Sequence, residues 1–578
     1  MARIETSKTK SPLYIYFGLL LALILVLTSL IVLLFPFPSK EITTYTSMKY
    51  PIVTDGEIYK DEAIYVNGTV YFPFSYIQEL IDDGLLIDEK TESIILTTRS
   101  KVYQIPVDSL EYYANEESLV IDYPIYKQIG SIPYISIDPF QLQYQLQYKF
   151  NLETGITVVR KAGETILTGK VKEEQKEPHL LMRSEATLTS PFVDSLQANE
   201  IVFIEDDLKD YYYIRKANGN AGYVKKEILL IDEPTTLVIE NPDKENTGVQ
   251  APTLPINLTW EAVYTKNPNT NKLPEMPGVN VVSPTWFSLK NNEGELNNLG
   301  STEFSNWAKS KNYEVWGLFS NDFDPDKTHE AFKDFETRKK IINQLLEYSA
   351  VYQLDGINID IENVYEEDGY LVTQFVKEAT PYLHNAGLVV SMDVTFISDN
   401  STWSKFYDRE KLISVVDYMI VMAYDEHWSK SPIAGSVASL PWVESNLQRM
   451  LEVVPNNKLV LGVPLYTRLW KETEKEDGKI EVTSSAYRMA DIEQWMAEHN
   501  VTQVYDDASG QNYVEYHNEK EHATYKVWLE DEQSLQKRID LFHKYELAGV
   551  ASWSRYFANE HAWTTISQSI EETEVVNK

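Results

Sequence analysis

Hydrophobic and polar positions change texture several times along the chain. From Leu13 to Phe35 no charged residue occurs, and the run Gly18-Leu-Leu-Leu-Ala-Leu-Ile-Leu-Val-Leu27 is apolar on every face. At about 1.5 Å per helical residue, residues 13–35 are long enough to cross a bilayer core, so a transmembrane helix is expected there. Between about 47 and 161 the pattern is short alternation broken by turn residues, as in Tyr65-Val-Asn-Gly-Thr-Val-Tyr-Phe-Pro-Phe74 and Ser93-Ile-Ile-Leu-Thr-Thr98, which predicts a β-rich region. From about 176 to 231, Glu200-Ile-Val-Phe-Ile204, Tyr211-Tyr-Tyr-Ile-Arg215 and Gly219-Asn-Ala-Gly-Tyr-Val224 read as short strands joined by tight turns. Residues 232–254 are polar and proline-containing and read as a linker. Over 255–570, strand-length apolar runs alternate with longer helical stretches, the mark of repeated βα units. Strands are expected to begin near Ile256, Val279, Tyr313, Gly356, Leu388, Val415, Leu459 and Ala548, which suits a (β/α)8 barrel with its site at the C-terminal strand ends.

Composition narrows the function classes. A chain of 578 residues is too long for one core, and a multidomain protein is expected. Its net charge of −35 argues against a nucleic-acid partner, because an acidic surface repels phosphates. With no cysteine, disulfides, thiolate metal sites and Cys nucleophiles are excluded. Arg3, Lys8 and Lys10 precede the apolar run, which places residues 1–12 in the cytoplasm and the following domains outside the cell. The run is longer than the apolar core of a signal peptide and is not followed by an Ala-x-Ala site, so an uncleaved, single-pass anchor is preferred over a cleaved leader.

Two N-terminal segments resemble known modules. Gly68-Thr-Val-Tyr-Phe-Pro-Phe74 is echoed by Gly130-Ser-Ile-Pro-Tyr-Ile135, a weak internal repeat, and region 47–161 resembles the stalk domain named for copper amine oxidase N-termini. That resemblance implies an α+β spacer, not a copper site. Residues 176–231 resemble a bacterial SH3-like barrel, which implies cell-wall binding through the Tyr cluster; the alternative is that those tyrosines pack the small barrel.

The chemistry concentrates in Leu354-Asp-Gly-Ile-Asn-Ile-Asp-Ile-Glu362. In a strand, side chains alternate faces, so Asn358, Asp360 and Glu362 share one side and Ile357, Ile359 and Ile361 the other. In a parallel barrel the isoleucines would pack under helices while the polar line points inward, with Glu362 nearest the catalytic mouth. Ionisable groups buried on both sides are costly unless used.

This stretch, with Met422-Ala-Tyr-Asp425, Gly462-Val-Pro-Leu-Tyr466 and Gly549-Val-Ala-Ser-Trp553 following in order, resembles glycoside hydrolase family 18 over about residues 254–570. The family's Asp-x-x-Asp-x-Asp-x-Glu signature is matched at every acidic position except Asn358. The resemblance implies retaining, substrate-assisted cleavage in which the sugar's N-acetyl group is the nucleophile. Glu362 would be the general acid, and Asp360 would hydrogen-bond the acetamido N–H and stabilise the oxazolinium-like intermediate. Tyr424 would orient the acetamido oxygen, Asp425 would shape the sugar site, and Trp553 would form its floor. Asp355, Asn358 and Met422 would complete the substrate-binding set, with Tyr466, Arg468 and Trp286 as further lining residues and Phe287 and Trp316 beside them. Residues 469–525 resemble the small α+β insertion that walls the cleft in many members.

Asn358 is the departure. An amide cannot take a negative charge but can donate a hydrogen bond to Asp360, so tuning is expected and not loss. Asn at this position also resembles the spore-cortex and cell-wall N-acetylglucosaminidase branch, which tilts the expected substrate from chitin to peptidoglycan. A non-catalytic, wall-organising lectin on the same fold is the competing reading, and the presence of Glu362 argues against it. A metal-dependent deacetylase is set aside, since no His-x-x-x-His spacing lies near the acidic motif. Neither metal nor cofactor is expected.

Overall fold

The computed structural model describes residues 13–34, 37–240, 249, 251–476 and 478–571. The proposed cytoplasmic residues 1–12 and most of the acidic part of the linker lie outside them. An uncharged helix runs over Leu13–Leu34, with side chains described only for residues 15–30. Among the described residues no helix is long and apolar enough to cross a membrane, so the anchor rests on the sequence pattern alone. The chain divides into two compact units, one of residues 1–83 and 123–244 and the other of residues 84–122 and 245–578.

The first unit is β-rich. Two four-stranded sheets are built from strands between Pro51 and Lys161, with a short helix at Phe74–Leu80. A larger antiparallel sheet follows, in which Thr165–Val171 pairs with both Ile201–Asp207 and Leu229–Ile231. It therefore begins before the expected boundary at 176. Its core is small: Val171, Met182, Leu196, Val202, Ile214, Val224, Ile228 and Leu229. Tyr211, Tyr212 and Tyr213 are all half-buried, and Tyr212 packs against that core.

The second unit contains the barrel. Its strands are β1 (Ile256–Glu261), β2 (Val281–Pro284), β3 (Glu314–Ser320), β4 (Gly356–Asp360), β5 (Val389–Thr395), β6 (Tyr418–Met422), β7 (Leu459–Pro464) and β8 (Gly549–Trp553). Each pairs in parallel with the next, and β8 pairs with β1, closing the ring. The sixth strand starts later than expected because Arg409–Val415 is a helix. Helices start where Asp or Ser carboxylates and hydroxyls accept free N–H groups, as Ser301, Asp324, Asp334, Asp408 and Asp531 do. Ile357, Ile359 and Ile361 are buried with Phe375 and Val376 in the layer between strands and helices, as the alternation predicts. Inside the ring, Leu258, Trp260, Trp316, Leu318 and Ile420 fill the lower layers.

Two elements extend the barrel. The α+β insertion is a five-stranded sheet running from Tyr466–Glu474 to Ala523–Trp528 with one helix, Met489–His499. The other is an antiparallel meander of five strands between Leu86 and Val120. Ile95 and Val102 of this meander join the apolar layer of the barrel, and the buried Asp88 carboxylate accepts the N–H of Phe335 at 2.8 Å. The segment expected as one stalk domain, 47–161, is thus shared between the two units.

Candidate active site

Glu362 stands two residues past the end of β4, where the chain leaves the barrel. Its main chain is clamped by Asn321 at the end of β3: the Glu362 N–H donates to Asn321 Oδ1 at 3.1 Å, and Asn321 Nδ2 donates to the Glu362 carbonyl at 2.7 Å. Asn321 Nδ2 also reaches Thr328 Oγ1 at 2.8 Å, and the residue is fully buried. Below the loop, Tyr407 Oη donates to the Ile361 carbonyl at 2.7 Å. The backbone around the candidate acid is fixed from two sides.

Inside the barrel mouth the carboxyls crowd together. Burial, then Asp360, Asp393 and Asp425, hold the Glu362 carboxyl well above the usual carboxylate range. Burial pushes Asp360 up to about 7, and burial with the charge of Asp360 raises Asp393 well above its ordinary value. With three raised carboxyls so close, protons are shared, and Asp360 is the first to ionise. The arrangement keeps a proton on Glu362 near neutral pH beside an ionisable Asp360, which is what an acid and an electrostatic stabiliser require. Tyr424, at the end of β6, faces the same groups: its phenol is raised by burial, then by Asp393, Tyr466, Glu362 and Asp360.

The rim is a second polar cluster. Tyr466 Oη donates to Asp425 Oδ1, and Arg468 Nη2 reaches the same oxygen at 3.3 Å while its guanidinium lies 5.4 Å from the Tyr466 ring centre. Asp425 itself has φ of +61°, a conformation uncommon outside glycine. The Tyr424 and Tyr466 rings meet edge to face at 6.3 Å. Trp553 ends β8, half-buried, with its ring centre 5.9 Å from that of Trp260. Met422 ends β6 half-buried. Among the described residues no group of His, Asp and Glu is arranged to hold a metal ion.

Several expected residues do not reach the mouth. Trp286 is 1% exposed, packed on Phe304 and Tyr352 and donating to Asn267 Oδ1 at 2.7 Å; it belongs to the apolar layer outside the strands, as does Phe287. Trp316 is inside the ring but low, stacked on Tyr418 and donating to Glu314. Asp355 precedes β4 at its N-terminal end, where Oδ2 accepts the Val315 N–H at 2.9 Å; it staples two strands at the end opposite the mouth. Asn358 does not donate to Asp360. Its Nδ2 reaches Asp393 Oδ1 at 2.8 Å and Ser391 Oγ at 3.1 Å, and its Oδ1 accepts from Trp260 Nε1 at 2.9 Å and Ser283 Oγ at 3.1 Å.

Asp393 and Asn321 are the residues that the sequence reading missed. For Asp393 the signal was present: Ser391, Asp393 and Thr395 alternate along a strand of a parallel barrel just as Asn358, Asp360 and Glu362 do. Asn321 carries no comparable signal, because it lies beyond its strand in a loop.

The profile of glycosyl hydrolases family 18 matches residues 264–558, about half of the chain. An uncharacterized glycosylase, YvbX, of Bacillus subtilis (strain 168) is 28% identical over 299 residues, covering 50% of this chain and 84% of that protein. The cortical fragment-lytic enzyme of the same organism is 24% identical over 237 residues, covering 40% of this chain and 54% of its own length, so the chain spans about half of that relative. A solved structure, the spore cortex-lytic enzyme SleL of Bacillus megaterium QM B1551, is 19% identical with a TM-score of 0.49, covering 58% of this chain and 76% of that one. With the closed barrel and the match over half its length, this chain belongs to glycosyl hydrolases family 18 and is a glycoside hydrolase.

Proposed function

We propose that the chain is a wall-facing hydrolase of β-1,4-linked N-acetylglucosamine, acting on peptidoglycan in preference to chitin. The observation that carries this is the pairing, at the end of one barrel strand, of a protonated Glu362 with an ionisable Asp360, both faced by Tyr424. In this reading Glu362 protonates the glycosidic oxygen, and the substrate's acetamido oxygen attacks the anomeric carbon from the opposite side. Asp360 takes the acetamido N–H and stabilises the positive charge that develops; Tyr424 orients the acetamido oxygen; water then opens the intermediate with Glu362 acting as base. The configuration at the anomeric carbon is retained.

Peptidoglycan is favoured by the cortex-directed relatives and by Asn358. The uncharged run at 13–35 supports a membrane anchor with the catalytic unit outside the cell. The antiparallel sheet of residues 165–231, with its small core, supports an SH3-like wall-binding module, and the sheets between 47 and 161 a spacer. The test is product analysis. The chain from residue 37, and its Glu362→Gln variant, are incubated with purified peptidoglycan and with chitin, and new reducing ends are identified by mass spectrometry. N-acetylglucosamine reducing ends from the parent and none from the variant are expected. Muramic acid reducing ends, or equal turnover by the variant, would overturn the assignment.

A further inference from the structure

Asp360 has a deficit that its own strand does not repair. Its Oδ1 is buried and accepts no N–H or O–H from the described residues, although a buried carboxylate without donors is strongly disfavoured. The amide that the sequence offered as its donor, Asn358, has both N–H groups engaged by Ser391 and Asp393.

Strand register supplies the missing partner. β4 and β5 pair with Asn358 opposite Ser391 and Ile359 opposite Met392. Ser391 and Asp393 both point into the ring, since both receive the inward-pointing amide of Asn358. The next inward layer therefore sets Asp360 beside Asp393, on strands about 4.8 Å apart. Asp393 Oδ1 accepts the Asn358 amide at 2.8 Å, so Oδ2 is the oxygen to which a proton is assigned.

We propose that Asp393 is a positioning residue that keeps a proton on Oδ2 and donates it in a hydrogen bond to the carboxylate of Asp360. It thereby holds Asp360 ionised and correctly turned for the acetamido N–H. The groups facing Asp393 agree with this. From β4 come Asp360 and Asn358, from just past its end the protonated Glu362, from β1 the indole N–H of Trp260, from the end of β6 Tyr424, and from the loop after β5 Tyr407. Of these Asp360 is the carboxyl that ionises near neutral pH, and no cation is among them, so burial and the charge of Asp360 keep Asp393 protonated against the opposing pull of the Asn358 and Trp260 donors. No bond is made or broken in this role. The proton stays on Asp393 and only its hydrogen bond is shared. The inference rests on the hydrolase reading for its kinetic consequence and on the barrel geometry alone for the proton.

Two readouts on the full chain separate those parts. The first is the infrared carbonyl stretch of protonated carboxylic acids at pH 7, wild type minus Asp393→Asn. A band present in the wild type and missing from the variant is expected. If no such band is lost, Asp393 is ionised and the inference fails, whatever the enzyme does. The second is the pH profile of kcat/KM on N-acetylglucosamine oligomers. Weakening the donor to Asp360 raises the pH at which Asp360 protonates, so the acidic limb moves up by about one pH unit in Asp393→Asn, and further in Asp393→Ala. A merely structural role lowers kcat or stability and leaves the limb in place, and that outcome also overturns the inference. If the wild type turns over no N-acetylglucosamine glycan, the proposed function fails while the infrared readout still judges the proton.

Discussion

The carboxamide of Asn321 bonds both the N–H and the carbonyl of Glu362, at 3.1 and 2.7 Å. The end of one strand thus sets the exit angle of the next, and with it the direction of the candidate acid. Replacing Asn321 by Ala removes both bonds and the one that Thr328 Oγ1 accepts, and leaves a cavity. Misplacing an acid by about 1 Å is enough to lose roughly 10²-fold in rate. Asn321→Ala is expected to lower kcat by about that factor, with a smaller change in KM, and to lower stability by about 1–3 kcal/mol. Steady-state kinetics and a urea titration check both halves, and a kcat within twofold of the parent would falsify the positioning role.

At the rim, Asp425 is held by Tyr466 and Arg468 in a left-handed backbone conformation. Such a conformation persists only where its surroundings enforce it. Tyr466→Phe removes one of the two restraints while keeping the ring that meets Tyr424 and Phe557. Asp425 is half-exposed and stands above the carboxyl cluster, so its release is expected to raise KM by several-fold and to change kcat less. The split is read from initial rates over a range of oligomer concentrations. A fall in kcat with KM unchanged would place Asp425 in the chemical step instead.

How much of this was legible in sequence follows from what alternation encodes. Period-two patterning in a barrel strand states which side chains point inward, and it placed Asp360 and Glu362 inside and Ile357, Ile359 and Ile361 outside. It does not state depth or neighbour. Asp355 and Trp316 lie on the right strands but at the wrong end, and Trp286 ends an early strand yet turns its ring into the helix layer. Nor does it reveal which strands are adjacent in register, and this is why Asn358 was paired with Asp360 on its own strand when its partner is Asp393 on the next. The meander of residues 84–122 was unreadable for a related reason. Its alternation is that of any half-buried sheet, and nothing local says that the covered face lies on barrel helices over 200 residues away.

That meander is tied to the barrel by Asp88. Its carboxylate is 4% exposed and accepts the N–H of Phe335 at 2.8 Å, at the start of the helix Phe335–Tyr352, while also accepting the Thr91 N–H and hydroxyl. Asp88→Ala leaves the Phe335 N–H buried without an acceptor, at a cost of about 1–3 kcal/mol. The catalytic unit is expected to unfold at a lower denaturant concentration, with the loss read by Trp fluorescence and by activity together. The same geometry predicts that a fragment beginning at residue 249, which lacks the meander, is less stable than the chain that keeps it. Coincident unfolding midpoints for the two would show that the meander is an appendage.

The pH dependence of stability is expected to have the sign opposite to that of ordinary salt-bridged carboxylates. Glu362 keeps its proton in the fold well above the usual range, because burial and then Asp360, Asp393 and Asp425 oppose its charge. Unfolded, it ionises near pH 4.3 (about the model-peptide value). Below that pH the group is protonated in both states and has no effect. Above it the unfolded chain gains by ionising while the folded chain holds its proton, so stability falls as pH rises toward the folded value. Glu362→Gln removes this penalty and keeps the shape. The variant is therefore expected to melt a few degrees above the parent at pH 7, since about 1 kcal/mol corresponds to roughly 2–4 °C in domains of this class, and level with it near pH 4, while losing hydrolysis. Asp360, pushed up to about 7, carries the same sign over the window from about pH 4 to 7, so Asp360→Asn is expected to behave alike. Calorimetry at the two pH values checks this. A gap that is the same at both would mean that the gain comes from packing and not from an acid held uncharged for catalysis, the trade of stability for activity that such sites make.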